Sequence, residues 1–516
     1  MFRQSRLARA LAVAAALFAG ASQQVSAQDK IVWGKPSEVI SFDPHISGDG
    51  TSWTFFYMVY ETLMGTDDAL NVAPRLAERW EQPSPTTYIF HLRPTAAFSN
   101  GRPLTADDVV GSLMRLRSPE LGAAWGRLLG DVKEIVADGP HTVRIELNAP
   151  HTPLLSILSV STTSILPMQE LEDGSFDPTT QLLGSGPYMV MEHLQDQSWT
   201  LAANPHYGVE GLPRTPGFEI QIIPDDAARI AALRTGRVHV ATFENPDTPR
   251  LLAGVANVET VVQRTPNFFR LDVSGVDERS AFRDLRVRQA MSLALDRERM
   301  VEFVFGGDSQ PDFPVPAAFD SPACRSLPSY VMPRAERLEK ARALLAEAGT
   351  PNPEVGLIAS PVLVTYPLIA QVMQGSLAEA GFRVTIEQVP VPEWYARVFA
   401  AETDFDLAVS WFAGYSDPSL VMRWWDSDAS GWNRGFIEPV AEYVEVMKDV
   451  FQLPPGDARD AAMTRACEII DENANMLALV NKPDYIGVRA DLIDARFDAA
   501  EGNFNTLKHV AEFTLR

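Results

Sequence analysis

Two early stretches of the chain alternate apolar and polar residues with a period of two. Thr87 to Arg93 sets Tyr88, Phe90 and Leu92 on one face, and Thr142 to Asn148 does the same with Val143, Ile145 and Leu147 after an Asp138-Gly139 turn signal. This alternation predicts half-buried strands. Between them the period lengthens to that of a helix. Thr105 is a good N-cap, Asp107 and Asp108 fall in the first turn where the helix dipole favours negative charge, and Leu104 and Val109 are spaced as a hydrophobic staple. The predicted helix buries Val109, Val110, Leu113 and Met114.

Further along, strand and helix take turns. Asp225 caps a helix that buries Ile230 and Leu233 and stops at Gly236, and a strand with Val238 and Val240 follows at once. Asp284 caps another helix through Val287, Met291 and Leu295, and Asp296 caps the next, which ends at Gly306-Gly307. Glu354 to Ser360, a helix near Tyr366 to Ala380, Gly381 and a strand through Val384 and Ile386 read as a βαβ unit with parallel pairing and a right-handed crossover. With no low-complexity linker and no internal repeat, the predicted class is α/β, mixed sheets flanked by helices.

The first 27 residues read differently. Arg3, Arg6 and Arg9 form a basic start, Ala10 to Gly20 is apolar, and Val25-Ser26-Ala27 offers small residues at a cleavage site before Gln28. An apolar run of about 11 residues falls well short of the roughly 20 that span a bilayer, so a cleaved export signal is expected, with cleavage after Ala27. No cysteine near the cut offers a lipid anchor, and no later segment has 18 consecutive apolar residues, so no membrane insertion is expected. The remaining 489 residues make about three structural units at roughly 150 residues each. A net charge of −23, or −26 once the three leader arginines are gone, argues against nucleic acid or anionic lipid as partners. General solubility is its plainest meaning.

Two cysteines, Cys324 and Cys467, permit one disulfide in an oxidising compartment. Cys467 shares a helical stripe with Met463 and Ile470, which suits a small buried hydrophobe equally well, and the reading leans towards unpaired thiols. Catalytic constellations are missing from the pattern. Gly184-Ser185-Gly186 is too short for a nucleophile elbow and runs into Pro187; no H-E-x-x-H, P-loop or G-x-G-x-x-G occurs, and the eight histidines are scattered singly. No catalytic residue, metal or cofactor is expected.

The stretch from Ser41 to Arg117 holds SFDPH, YETLMG, APRLAERW and YIFHLRPTAAFSNGRPLTADDVVGSLMRL in order. GSGPYMV follows at Gly184 to Val190, then NPHYG at Asn204 to Gly208 and ALRTGRVHVA at Ala232 to Ala241. FRDLRVRQAMSLALDRERMV at Phe282 to Val301 and KARALLAEAG at Lys340 to Gly349 complete the series. Together they closely resemble the periplasmic family 5 solute-binding proteins, the dipeptide, oligopeptide and nickel binders of ABC importers. Taken singly, the caps and the FSNG and GSGPY turns read as scaffold.

That resemblance implies a two-lobed periplasmic-binding-protein clamp, type II and three-domain cluster C-like. Lobe 1 would combine residues 28–65, 183–274 and 488–516, with 66–182 inserted as a second domain, and lobe 2 would span 275–487. Crossings near 270–280 and 485–490 would act as the hinge, and an enclosed ligand would favour the closed state through contacts from both lobes. The resemblance also implies two anchors in the peptide binders, an aspartate for the ligand's amino group and an arginine for its carboxylate. Ungapped matching puts Gly414 and Ser360 at those positions, within WFAGYSDPSL and before SPVLVTYPL. An unpaired buried charge is costly, so losing both anchors argues against a free zwitterionic dipeptide.

What remains near the expected cleft is aromatic. Trp411, Tyr415, Trp424 and Trp425, with Asp417 and Arg423 among them, are candidates for an amphipathic ligand pocket, although at least one of Trp424 and Trp425 would pack in a core. Opposite them Asp49, Ser52 and Trp53 are candidate contacts in ISGDGTSW, which reads equally well as an ordinary polar loop. Phe268 and Arg270, on a strand entering the hinge, complete the candidates. The expected protein is a monomeric, non-enzymatic, periplasmic solute-binding protein. Its partners would be a small-molecule or short-peptide ligand (peptide-like, opine-like or oligosaccharide) and an inner-membrane ABC permease. The alternatives are a conventional oligopeptide binder, a secreted chaperone or scaffold on the same fold and, third, a hydrolase.

Overall fold

The computed structural model describes residues 30–319, 321–361, 363–400, 404–430 and 433–516. The expected leader lies outside them. The fold is mixed α/β around three sheets. A seven-stranded sheet runs in the order Val258–Gln263, Asp484–Arg489, Val240–Phe243, Lys30–Lys35, Gly217–Ile222, Ser198–Ala203, Tyr188–Leu194. Lys30–Lys35 pairs parallel with both neighbours, and its run of buried residues fits a central strand covered on both faces. A four-stranded antiparallel sheet holds Ala77–Ser84, Thr87–Leu92, Thr142–Leu147 and Val132–Ala137 in that order. Here the predicted alternation is realised: Tyr88, Phe90, Leu92, Val143, Ile145 and Leu147 are buried.

The helix between those strands is Ala106–Arg117, and the backbone N–H of Thr105 donates to the Asp108 carboxylate at 3.0 Å. Its inward face is Val109, Ser112, Leu113 and Leu116. Met114, expected inside, is exposed, because it lies a third of a turn beyond Leu113 while Leu116 completes the stripe. Val110 is only partly buried.

The third sheet, of five strands, runs Arg383–Gln388, Glu354–Ala359, Leu407–Phe412, Phe268–Val273, Met476–Asn481. Its first two strands pair parallel around the helix Thr365–Ala380, as the βαβ pattern predicts. The chain passes from the seven-stranded to the five-stranded sheet between Gln263 and Phe268, and returns between Asn481 and Asp484. These crossings lie outside 270–280 and 485–490. Phe268–Val273 is a fully buried strand paired on both sides, and Asp484–Arg489 likewise belongs within a sheet. The crossings run side by side, with Thr265 Oγ1 donating to the Lys482 carbonyl at 2.8 Å and the Lys482 N–H to the Asn267 carbonyl at 2.9 Å.

Cys324 and Cys467 form a disulfide with Cα atoms 5.2 Å apart, which corrects the expectation of unpaired thiols. Cys324 sits outside regular structure with φ of 66°, so no periodicity signals that it meets the Asp457–Asn473 helix carrying Cys467. The GSGPY turn is scaffold for a different local reason. A Cβ on Gly184 or Gly186 would come within 2.1 or 2.6 Å of Val59 backbone atoms.

Candidate functional site

The Gly50–Val59 helix supplies one wall of the cleft. Its N-cap is Asp49, whose Oδ1 accepts from Ser52 N at 2.7 Å and whose Oδ2 accepts from Ser47 Oγ at 3.1 Å. Ser52 is buried, and its hydroxyl accepts the N–H groups of Ile40 and Ser41. Trp53 Nε1 donates to the Ser47 carbonyl at 3.2 Å, which leaves the indole face as this loop's offering to the cleft. The preceding SFDPH turn is held by Arg115, which reaches both Asp43 oxygens and His45 Nδ1. Burial pulls His45 down to about 4, so it stays neutral as a brace.

The opposite wall begins with the strand Leu407–Phe412 and continues through the Ala413–Ser416 loop, the Pro418–Met422 helix and the turn Arg423–Trp425. Tyr415 and Leu420 are buried against the Lys30 side of the molecule, and Ser416 hydrogen-bonds Ser156 and Asn503 there. Five aromatic rings form a string across the contact. Trp411 lies 5.9 Å from Phe504, Phe504 5.1 Å from Trp53, Trp53 6.2 Å from Trp125 and Trp125 4.8 Å from Tyr415, all edge-to-face.

Two cavities flank this string. The larger, about 410 Å³, is lined by His45–Gly48, Trp53, Trp125, Arg127 and Leu128 on one side, and by Phe399, Tyr415, Leu420, Arg423, Trp424 and Ser430 on the other. The smaller, about 180 Å³, is lined by Lys35, Gly50, Thr51, Thr54, Glu244, Trp411, Lys482, Asp484 and Phe504 among others. In it Lys482 Nζ pairs with Glu244 at 2.9 Å and Asp484 at 3.4 Å, and lies 5.4 Å from the Trp411 ring centre. Lys35 Nζ donates to the Thr51 carbonyl at 2.6 Å. Burial pulls its ammonium down to about 7 against the opposing pull of Asp49 and Glu38.

The candidate residues therefore divide. Trp53, Tyr415, Arg423 and Trp424 come together on the larger cavity, and Trp411 lines the smaller one. Phe268 and Trp425 are stacked inside the five-stranded sheet's core, where Trp425 Nε1 donates to the Met476 carbonyl at 2.7 Å. Arg270 is buried there too, bonded to Asp272 and the Trp411 carbonyl, with its guanidinium 3.6 Å from the Phe412 ring centre. Asp417 caps the Pro418–Met422 helix and pairs with Arg459. Those four, with Ser52, hold the walls in shape, because a strand's inward face and a helix cap are consumed by the core they serve. Asp49 is likewise committed as the first wall's N-cap.

Gly414 and Ser360 now have a structural meaning. A Cβ at Gly414 would stand 2.1 Å from the Pro266 carbonyl oxygen, so this backbone leaves no room for any side chain. Ser360 is completely buried. Sequence reasoning missed Phe504, Trp125, Arg127, Lys35 and Lys482. Phe504 sits in an irregular loop with φ of 62°, and Trp125 and Arg127 in a short 3₁₀ turn, so no periodic signal marks them. Among the described residues one trio, Asp68, Asp498 and His509, could bring three metal-ligand atoms together, but Arg496 and Lys508 already pair with its carboxylates.

Residues 71–433 match the family described as bacterial extracellular solute-binding proteins, family 5 middle. The chain is 30% identical to the probable di/tripeptide-binding protein 5 of Pseudomonas aeruginosa over 380 residues, 68% of this chain and 70% of that protein. Two solved structures share its fold with a TM-score of 0.78 and 21% identity over 94% of this chain. They are the binding protein AgaA of A. tumefaciens R10 in complex with agropinic acid, covered over 99% of its length, and the ABC transporter-associated DppA of Helicobacter pylori in complex with the peptide STSA, covered over 98%.

Proposed function

The chain belongs to family 5 of the bacterial extracellular solute-binding proteins, which present solutes to ABC transporters, and from that premise we propose where and what it binds. The solute is a small amphipathic organic molecule, opine-like, peptide-like or an oligosaccharide. It is held in the 410 Å³ cavity at the contact between the lobes and passed on to an inner-membrane permease. The observation that carries this reading is that both walls contribute to one cavity, Trp53 and Trp125 from one side and Tyr415, Arg423 and Trp424 from the other. Its size fits a small-molecule site, and its aromatic surface with few polar groups fits an amphipathic occupant.

The protein acts in the periplasm as a monomer after cleavage behind Ala27, and it leaves its solute chemically unchanged. No helix among the described residues is long and apolar enough to cross a membrane. Gly414 and Ser360 carry no charge where peptide binders would anchor a zwitterion, so simple dipeptides bind poorly. Mass spectrometry of solute released by denaturing the protein, followed by calorimetry with that solute and with dipeptides, tests this. The expected result is an unmodified solute larger or less zwitterionic than a dipeptide. Dipeptide binding at micromolar affinity or tighter would support the conventional peptide-binder reading instead, and steady turnover of the solute would restore the enzymatic one.

A further inference from the structure

We propose that Arg127 and Arg423, one from each wall, hold an oxyanion of the bound solute, a carboxylate or phosphate, between them. This rests on the reading of the cleft as a solute site and adds the charge that the solute must carry. Both arginines line the 410 Å³ cavity and also an adjoining cavity of about 450 Å³, so they stand at the boundary of the two. They are close enough for the charge of Arg127, after burial itself, to depress the Arg423 guanidinium below its ordinary value.

Two guanidinium groups that line the same cavities repel; Arg127 is exposed, and at half-buried Arg423 the charge of Asp426 offsets only part of the combined effect of burial and Arg127. Neither takes part in an ion pair among the described residues of a chain with net charge −23. Arg423 is half-buried, and its hydrogen bond goes to the Ala429 carbonyl at 2.7 Å, which neutralises nothing. The carboxylates on the adjoining cavity make their hydrogen bonds to other groups, although the Asp426 charge still acts on Arg423 from a distance. Asp131 faces His151 Nδ1 at 3.1 Å, and Asp426 Oδ1 accepts the N–H groups of Asp428 and Ala429 at 3.0 Å each. An oxyanion between the forks would accept from both, relieve the repulsion and tie the walls together. It would therefore favour the closed arrangement over the open one, the differential affinity that closure requires. It also supplies the charged anchor missing at Gly414 and Ser360.

The test uses solute released by denaturing the wild-type protein, divided into untreated, methyl-esterified and phosphatase-treated portions. Each is titrated into solute-stripped, refolded wild type, Arg127→Gln, Arg423→Gln, Arg423→Lys and the distant surface control Arg250→Gln. One of the two treatments should weaken binding to wild type at least tenfold. Arg127→Gln and Arg423→Gln should each lose tenfold or more for the untreated portion and no longer distinguish it from the treated one. Arg423→Lys, which keeps the charge without the fork, should lose less than Arg423→Gln, and Arg250→Gln should match wild type. The solute-free melting temperature of Arg127→Gln should equal or exceed that of wild type, because an exposed like charge beside Arg423 has been removed. Binding that survives both treatments within threefold, or glutamine variants that bind like wild type, would overturn the anion pairing and leave the solute site standing. If no portion binds any of these proteins, the solute-binding reading falls as well.

Discussion

Trp411 is half-buried at the end of a strand, with the Phe504 edge on one side and Lys482 over its ring. Its contacts belong more to the cleft than to the core. Because Trp411 lines the smaller cavity and reaches the solute cavity only through Phe504 and Trp53, Trp411→Ala should weaken solute binding by about 1 kcal/mol or less, as read by titration calorimetry. Trp425→Ala makes the contrast. That ring is buried and hydrogen-bonded in the core, so its loss should cost about 3–5 kcal/mol of folding stability, whereas Trp411→Ala should leave the solute-free melting temperature nearly unchanged. The sequence left open which of Trp424 and Trp425 packs in a core. Only their neighbours separate them.

The Pro418–Met422 helix is a short element held from outside. Asp417 Oδ1 accepts the Ser419 N–H at 2.8 Å, while Arg459 Nη2 donates to both Asp417 oxygens at 2.9 and 3.1 Å. Arg459 is buried, so Asp417→Ala would strand its charge and should cost about 3–5 kcal/mol in a urea unfolding series. Asp417→Asn retains an acceptor for the cap and should cost less. Because Tyr415 and Arg423 flank this element, the alanine variant should also bind solute more weakly. The disulfide works over a longer range, joining positions 143 residues apart. Removing it from the unfolded state's constraints should cost about 2–5 kcal/mol, read as a lower urea midpoint in a reducing buffer than in an oxidising one.

At the scale of the whole molecule, the two crossings are the only covalent paths between the seven- and five-stranded sheets among the described residues, and they lie side by side. Residues 413–425 instead reach across the cleft by packing and hydrogen bonds, with no covalent link there. Binding should therefore draw the lobes together, with a smaller radius of gyration in X-ray scattering and a melting temperature that rises with solute concentration by mass action. Superimposable scattering curves with and without saturating solute would remove closure from the account.

Local chemistry determined much of this protein before any fold was known. The caps at Asp225, Asp284 and Asp296, the strand alternation around Phe90 and Ile145, and the βαβ order near Ala380 are governed by neighbours within a few residues, and all are realised as read. The ordered motifs from Ser41 to Gly349 carried the family. The site was legible only as a set of aromatic residues. Which of them face a cavity depended on strand pairing and on loops that meet from positions far apart. Trp125, Arg127 and Phe504 come from irregular turns with no period to betray them, yet they complete the walls around Trp53 and Tyr415. The partner of Cys324 and the absence of room at Gly414 were decided in the same way. A disulfide and a steric limit are properties of distances between distant segments, and these exist only once the chain has packed.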